Sequence, residues 1–179
     1  MAGVSTVRRG LDGPLRIRAA CVAAALAAAT WVASAVPATA DWQYTQWGMT
    51  PDQVKAASDG AALDNGDRLR DVDGLRAALV APYQGEAVAF TAVFLFNDQD
   101  KLRYVTLNPI GKLSCPLVVQ TLVDHYGPPG NRADMVRAST MRWNDLGNDN
   151  LVVYLDLGGG DCSVQYSKLP PTRPDGKGL

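Results

Sequence analysis

Trp47-Gly48-Met49-Thr50-Pro51-Asp52-Gln53-Val54 reads as a complete helix start. The Thr50 hydroxyl can accept from an amide of the first turn, and Gln53 can reach back to the Thr50 amide, closing a capping box. Pro51 takes the first helical position, where a missing N–H costs nothing. Met49 and Val54 flank the box at the spacing of a hydrophobic staple. The predicted helix is short, from Pro51 to about Ser58, with Gly60 as its stop. A second proline-started helix is predicted from Cys115 or Pro116 to Tyr126. Val118, Leu122 and Tyr126 recur at four-residue spacing, Val119 and Val123 widen the stripe, and Gly127-Pro128-Pro129 ends it.

Strand signals follow each helix. Leu75 to Tyr83 alternates, and Gln84-Gly85-Glu86 turns the chain. Phe90, Ala92, Phe94 and Phe96 then share one face of a long strand, with Thr91, Val93 and Leu95 on the other. Neither face is charged, which predicts a strand inside its sheet. Asn97 to Asp100 is a hairpin turn, and Leu102 to Leu107 returns. After the second helix come Thr140 to Asn144, Leu151 to Leu157 and Cys162 to Leu169. Asp59 to Gly74 reads as a solvated loop, because its aspartates lack the spacing of a calcium loop. The trace expects a single α+β domain over residues 41–169. Its antiparallel sheet is built from two three-stranded meanders, each preceded by a helix, with both helices packed on one face.

The two ends of the chain read differently from the middle. Arg8, Arg9, Arg16 and Arg18 precede an alanine-rich apolar run, and Ala38-Thr39-Ala40 supplies a signal-peptidase pattern. Residues 1–40 are therefore expected to be a cleaved signal peptide, with an uncleaved anchor as the alternative. Residues 170–179 are expected to form a disordered tail. Without the first 40 residues, the remaining 139 carry 13 basic and 17 acidic residues. That balance argues against a nucleic-acid partner, and no later apolar run is long enough to span a bilayer. Cys115 and Cys162 are the cysteines left after cleavage, and in an exported chain they are expected to form a disulfide.

Gly48-Met49-Thr50-x-x-Gln53-Val54, together with Tyr126-Gly127-Pro128-Pro129 after a helix, resembles a group of small exported bacterial proteins. The group includes the SmpA/OmlA outer-membrane assembly lipoproteins and the β-lactamase-inhibitor-like proteins. The resemblance implies helix-plus-meander units and a non-enzymatic, protein-binding role outside the cytoplasm. The chain departs from the lipoproteins in lacking a convincing lipidation cysteine, and its Gly-Pro-Pro follows the second helix instead of the first. No binding residue of the group carries over.

Chemistry is sparse. His125 is the sole histidine and sits in the last turn of the second helix, beside Asp124, which cannot face it. Glu86 is the sole glutamate and lies in a turn. The Gly158-Gly159-Gly160 run is not followed by a helix, so it is not a phosphate cradle. Neither a catalytic group, a metal site nor a cofactor is expected. Alternation in the second meander places Arg142, Tyr154 and Gln165 on one polar face, and Tyr and Arg dominate partner contacts. The expected function is a periplasmic or secreted, non-enzymatic module binding a protein or envelope component through those three residues. The alternatives are a small aspartate-dependent hydrolase and a structural envelope protein. A polar pocket joining His125 to a carboxylate would favour the enzyme.

Overall fold

The Thr50 box forms. In the computed structural model, which describes residues 41–66, 71–72, 74–111 and 114–171, the Gln53 amide donates to Thr50 Oγ1 at 3.4 Å and the Thr50 amide donates to Gln53 Oε1 at 2.9 Å. Helix α1 runs Pro51–Ala57 and buries Val54 completely. Helix α2 runs Cys115–Tyr126, and Val118 and Leu122 are its buried stripe. Gly127 ends it at φ +77°, a conformation that favours glycine. The Gly127 carbonyl then accepts the Trp143 indole N–H at 2.9 Å. The expected signal segment, residues 1–40, and residues 172–179 of the expected tail lie outside the described residues.

The expectation of two three-stranded meanders is overturned. Eight strands form one antiparallel sheet: β1 (Leu63–Asp64), β2 (Arg76–Gln84), β3 (Ala89–Phe96), β4 (Leu102–Pro109), β5 (Asn131–Asp134), β6 (Ser139–Asp145), β7 (Asn150–Gly158) and β8 (Asp161–Lys168). Their order is β1-β2-β3-β4-β8-β7-β6-β5. Each helix is followed by four strands, and the two sets join along their fourth strands, where Tyr104 pairs with Ser167 and Leu107 with Val164. The two unforeseen strands are the outermost ones. β1 has two residues inside the segment read as loop, and all four residues of β5 are exposed. Backbone pairing holds both, and neither buries an alternate residue, so neither leaves a periodic signal in the sequence.

Register sorts the side chains into two faces. Phe90, Ala92, Phe94 and Phe96 of β3 lie in the larger core, with Val54 of α1 and Leu122 of α2. Val93 and Leu95 of β3 face the other way, into a smaller cluster with Ala77, Val80 and Tyr104. Cys115 and Cys162 are joined, 47 residues apart in sequence, which fixes the first turn of α2 to β8. In the chain-entropy view a loop of that length stabilises by about 4 kcal/mol. Among the described residues no helix is long and apolar enough to cross a membrane.

The chain before α1 is a tight turn, not the short strand or extended lead-in that its alternation suggests. Trp42 and Thr45 pair across it, and the Thr45 hydroxyl donates to the Trp42 carbonyl at 2.8 Å. Trp42 is only 6% exposed and packs against Tyr44, Tyr83, Phe94 and Tyr166.

Candidate functional site

Arg142, Tyr154 and Gln165 do not form one site. Arg142 pairs with Val153, and Val153 with Gln165, so these three share the open face. Tyr154 pairs with Met141 and Val164, which belong to the helix-side core, and it is 1% exposed. Its hydroxyl lies 3.5 Å from Asp156, the outer limit of a hydrogen bond. Burial, then the charge and contact of Asp156, push its pKa up to about 12. The expected sidedness fails on β7. That strand carries Val152 and Tyr154 inward and Leu151, Val153 and Leu155 outward. Both sets are apolar, and the aliphatic set outweighs the aromatic one in any reading by alternation.

Gln165 borders an open-face hollow of about 570 Å³ with Leu95, Arg103 and Tyr104, and the helix-side face holds a more aromatic cleft of about 380 Å³. That is within the size range of small-ligand sites. It lies between the N-terminal turn, α2 and the sheet. Its aromatic lining is Trp42, Tyr83, Phe90, Tyr126 and Tyr166. Trp42 and Tyr83 stand 5.4 Å apart by ring centre, and Tyr83 and Phe90 5.9 Å. The Gln43 amide donates to the Tyr83 hydroxyl at 3.4 Å, and the hydroxyls of Tyr126 and Tyr166 interact. Val118, Leu122 and Val164 supply aliphatic surface.

Asn150, 2% exposed, fastens one wall. Its side-chain oxygen accepts the Trp47 indole N–H at 3.0 Å, and its side-chain nitrogen donates to the Asp41 carbonyl. The sequence gives no cue to this role, since Asp145 to Asn150 reads as ordinary hairpin polarity.

The cleft is acidic. Asp41, Glu86 and Asp145 line it, and His125 is its one basic side chain. The tyrosines register these charges. Burial raises the Tyr83 pKa and Glu86 raises it further. Burial is again the first cause for Tyr126 and Tyr166, and the charge of Asp145 adds to both.

His125 and three carboxylates thus share one cleft, as the hydrolase alternative requires, but they are not coupled. The His125 ring meets Tyr126 edge-on at 4.5 Å, and no hydrogen bond joins it to a carboxylate among the described residues. The Thr121 hydroxyl, also in the lining, donates back to the Leu117 carbonyl at 2.9 Å. Among the described residues, these contacts do not hold the Thr121 hydroxyl against a base, as acyl transfer would require. Among the described residues, no group of three or more His, Cys, Asp or Glu side chains could hold a metal ion.

No protein-family model and no curated protein matches the sequence. Among solved structures, the chain is similar to a DUF4309 family protein (YjgB) from Bacillus subtilis subsp. subtilis str. 168. The TM-score is 0.44 at 12% identity, over 71% of this chain and 83% of that one. A likeness of that size carries no functional argument.

Proposed function

We propose that this protein is an exported, non-enzymatic binding module that takes a group of a protein or envelope partner into the helix-side cleft. The observation that carries the proposal is the cleft itself: aromatic walls, a polar rim and a volume of about 380 Å³. Aromatic side chains supply large contact areas at low entropic cost, and a concave apolar site with few polar groups is the usual form of a binding pocket. The Cys115–Cys162 bridge supports an oxidising compartment, and periplasmic or secreted placement is part of the same proposal. The test compares two variants in affinity capture from envelope extract. Thr121→Trp, on the cleft wall, should abolish capture of the partner seen with the parent protein, whereas Arg142→Ala, on the open face, should leave it intact. The reverse pattern would move the site to the open face.

One observation favours a second reading. His125, Glu86 and Asp145 line the same cleft, which keeps the aspartate-dependent hydrolase in play. If His125→Ala abolished a hydrolytic activity at unchanged stability, the binding proposal would give way to the enzyme.

A further inference from the structure

We infer that the cleft is built for a cation, a primary alkylammonium group whose stem lies on Val118, Leu122 and Val164 while its head meets the tyrosine faces and the carboxylates. This rests on the cleft being the working site. Neither lysine nor arginine lines the cleft. The ion pairs among the described residues all lie elsewhere: Lys55 with Asp64, Arg76 with Asp100, Arg132 with Asp134, and Lys168 with Asp149. The Asp41 carboxylate accepts the Trp47 amide, and Asp145 accepts the Asn148 amide and side chain. Those bonds orient two of the carboxylates without neutralising them. Glu86 stands in the exposed β2–β3 turn at the mouth.

Aromatic ring faces attract cations, and the attraction grows as the site loses water. The low-dielectric walls also strengthen the pull of the carboxylates. Burial is the main cause of the raised tyrosine pKa values, but Glu86 adds to that of Tyr83 and Asp145 to those of Tyr126 and Tyr166, and this negative contribution would favour an ammonium group beside them. An anionic ligand would meet the opposite field. The chemistry is shared by a free amine and by a lysine side chain of a protein partner.

Three probes test the inference against the isotope-labelled protein by NMR titration: n-butylammonium, Nα-acetyl-lysine methylamide, and the uncharged Nα-acetyl-norleucine methylamide. Both cationic probes should shift the Trp42, His125 and Tyr126 amide resonances saturably. The norleucine probe should bind at least about tenfold more weakly, a difference of roughly 1.4 kcal/mol. Glu86→Gln should weaken the cationic probes several-fold at unchanged Tm, and added salt should weaken them too. Tighter binding of the lysine probe supports a protein side chain as the natural ligand, and tighter binding of butylammonium supports a free amine. Equal binding of the norleucine probe would overturn the inference while leaving the cleft as the site. The same holds if no probe moves these resonances although Thr121→Trp still abolishes capture. Failure of both experiments would overturn both readings.

Discussion

On the helix-covered face, β2, β3, β7 and β8 bring together Tyr83, Phe94, Tyr154 and Tyr166. On the open face the same strands present Val80, Val93, Val153 and Gln165. The pleat alone separates the two sets, since successive residues point to opposite sides. The covered face has two helices and the Trp42 turn built over it, and the cleft lies where that turn and α2 meet the sheet. Among the described residues no helix covers the open face, where Leu75, Leu95, Arg103, Tyr104, Thr106 and Gln165 line a hollow of about 570 Å³. On the covered side, His125 of α2 comes over the same space as Glu86 of the β2–β3 turn and Asp145 of β6.

The largest effect should come from testing which side Tyr154 is on. Tyr154→Ala should lower unfolding free energy by about 4 kcal/mol, the range for emptying a buried aromatic site. Arg142→Ala and Gln165→Ala should each stay within about 0.5 kcal/mol. Chemical denaturation measures all three, and a mild Tyr154→Ala would return that residue to the open face.

The covered face should also make the protein alkali-sensitive. The folded-state pKa values of Tyr83, Tyr126, Tyr154 and Tyr166 lie above the ordinary tyrosine value of 10. The stability linked to them is fully present below pH 10 and is lost as pH rises through the folded values, about 12 for Tyr154. Unfolding followed by circular dichroism should coincide with a late, cooperative rise in phenolate absorbance. Gradual ionisation from pH 10 in a folded chain would show that these rings are not buried.

Asn150→Ala should cost about 2 kcal/mol, because it strips two partners from a buried junction. It should also loosen the Trp42 wall, seen as faster hydrogen exchange over residues 41–47 with β6 protection unchanged. A smaller loss, about 1 kcal/mol, is expected for Thr50→Ala through the lost cap.

Much of this was legible in the sequence wherever the cause was local. Thr50, Pro51 and Gln53 lie within one turn, so the start of α1 needed no knowledge of the rest of the fold. Gly127 and the prolines after it fixed the end of α2 in the same way. Six of the eight strands announced themselves by alternation. β1 and β5 did not, because their positions depend on a neighbour's backbone and not on their own side chains. The phase of β7 was not legible either: with Val152 and Tyr154 on one side and Leu151, Val153 and Leu155 on the other, alternation marks a strand but not its inner face. The cleft was the least legible feature. Trp42, Tyr83, Tyr126 and Tyr166 are far apart in the chain, and only the β4–β8 pairing closes the distance. Trp42 is buried against the core. The turn that buries it depends on Gln43 at φ +50° and on the Thr45 hydroxyl, and alternation hides that.

Thiol footprinting compares the two faces in one measurement. Cys115 and Cys162 are bridged, so in a Cys21→Ala background a cysteine introduced by Thr121→Cys or by Arg142→Cys would be the reactive thiol of its variant. With envelope extract present, alkylation at position 121 should slow several-fold and alkylation at position 142 should not change. Protection at 142 with none at 121 would contradict the cleft as the working site.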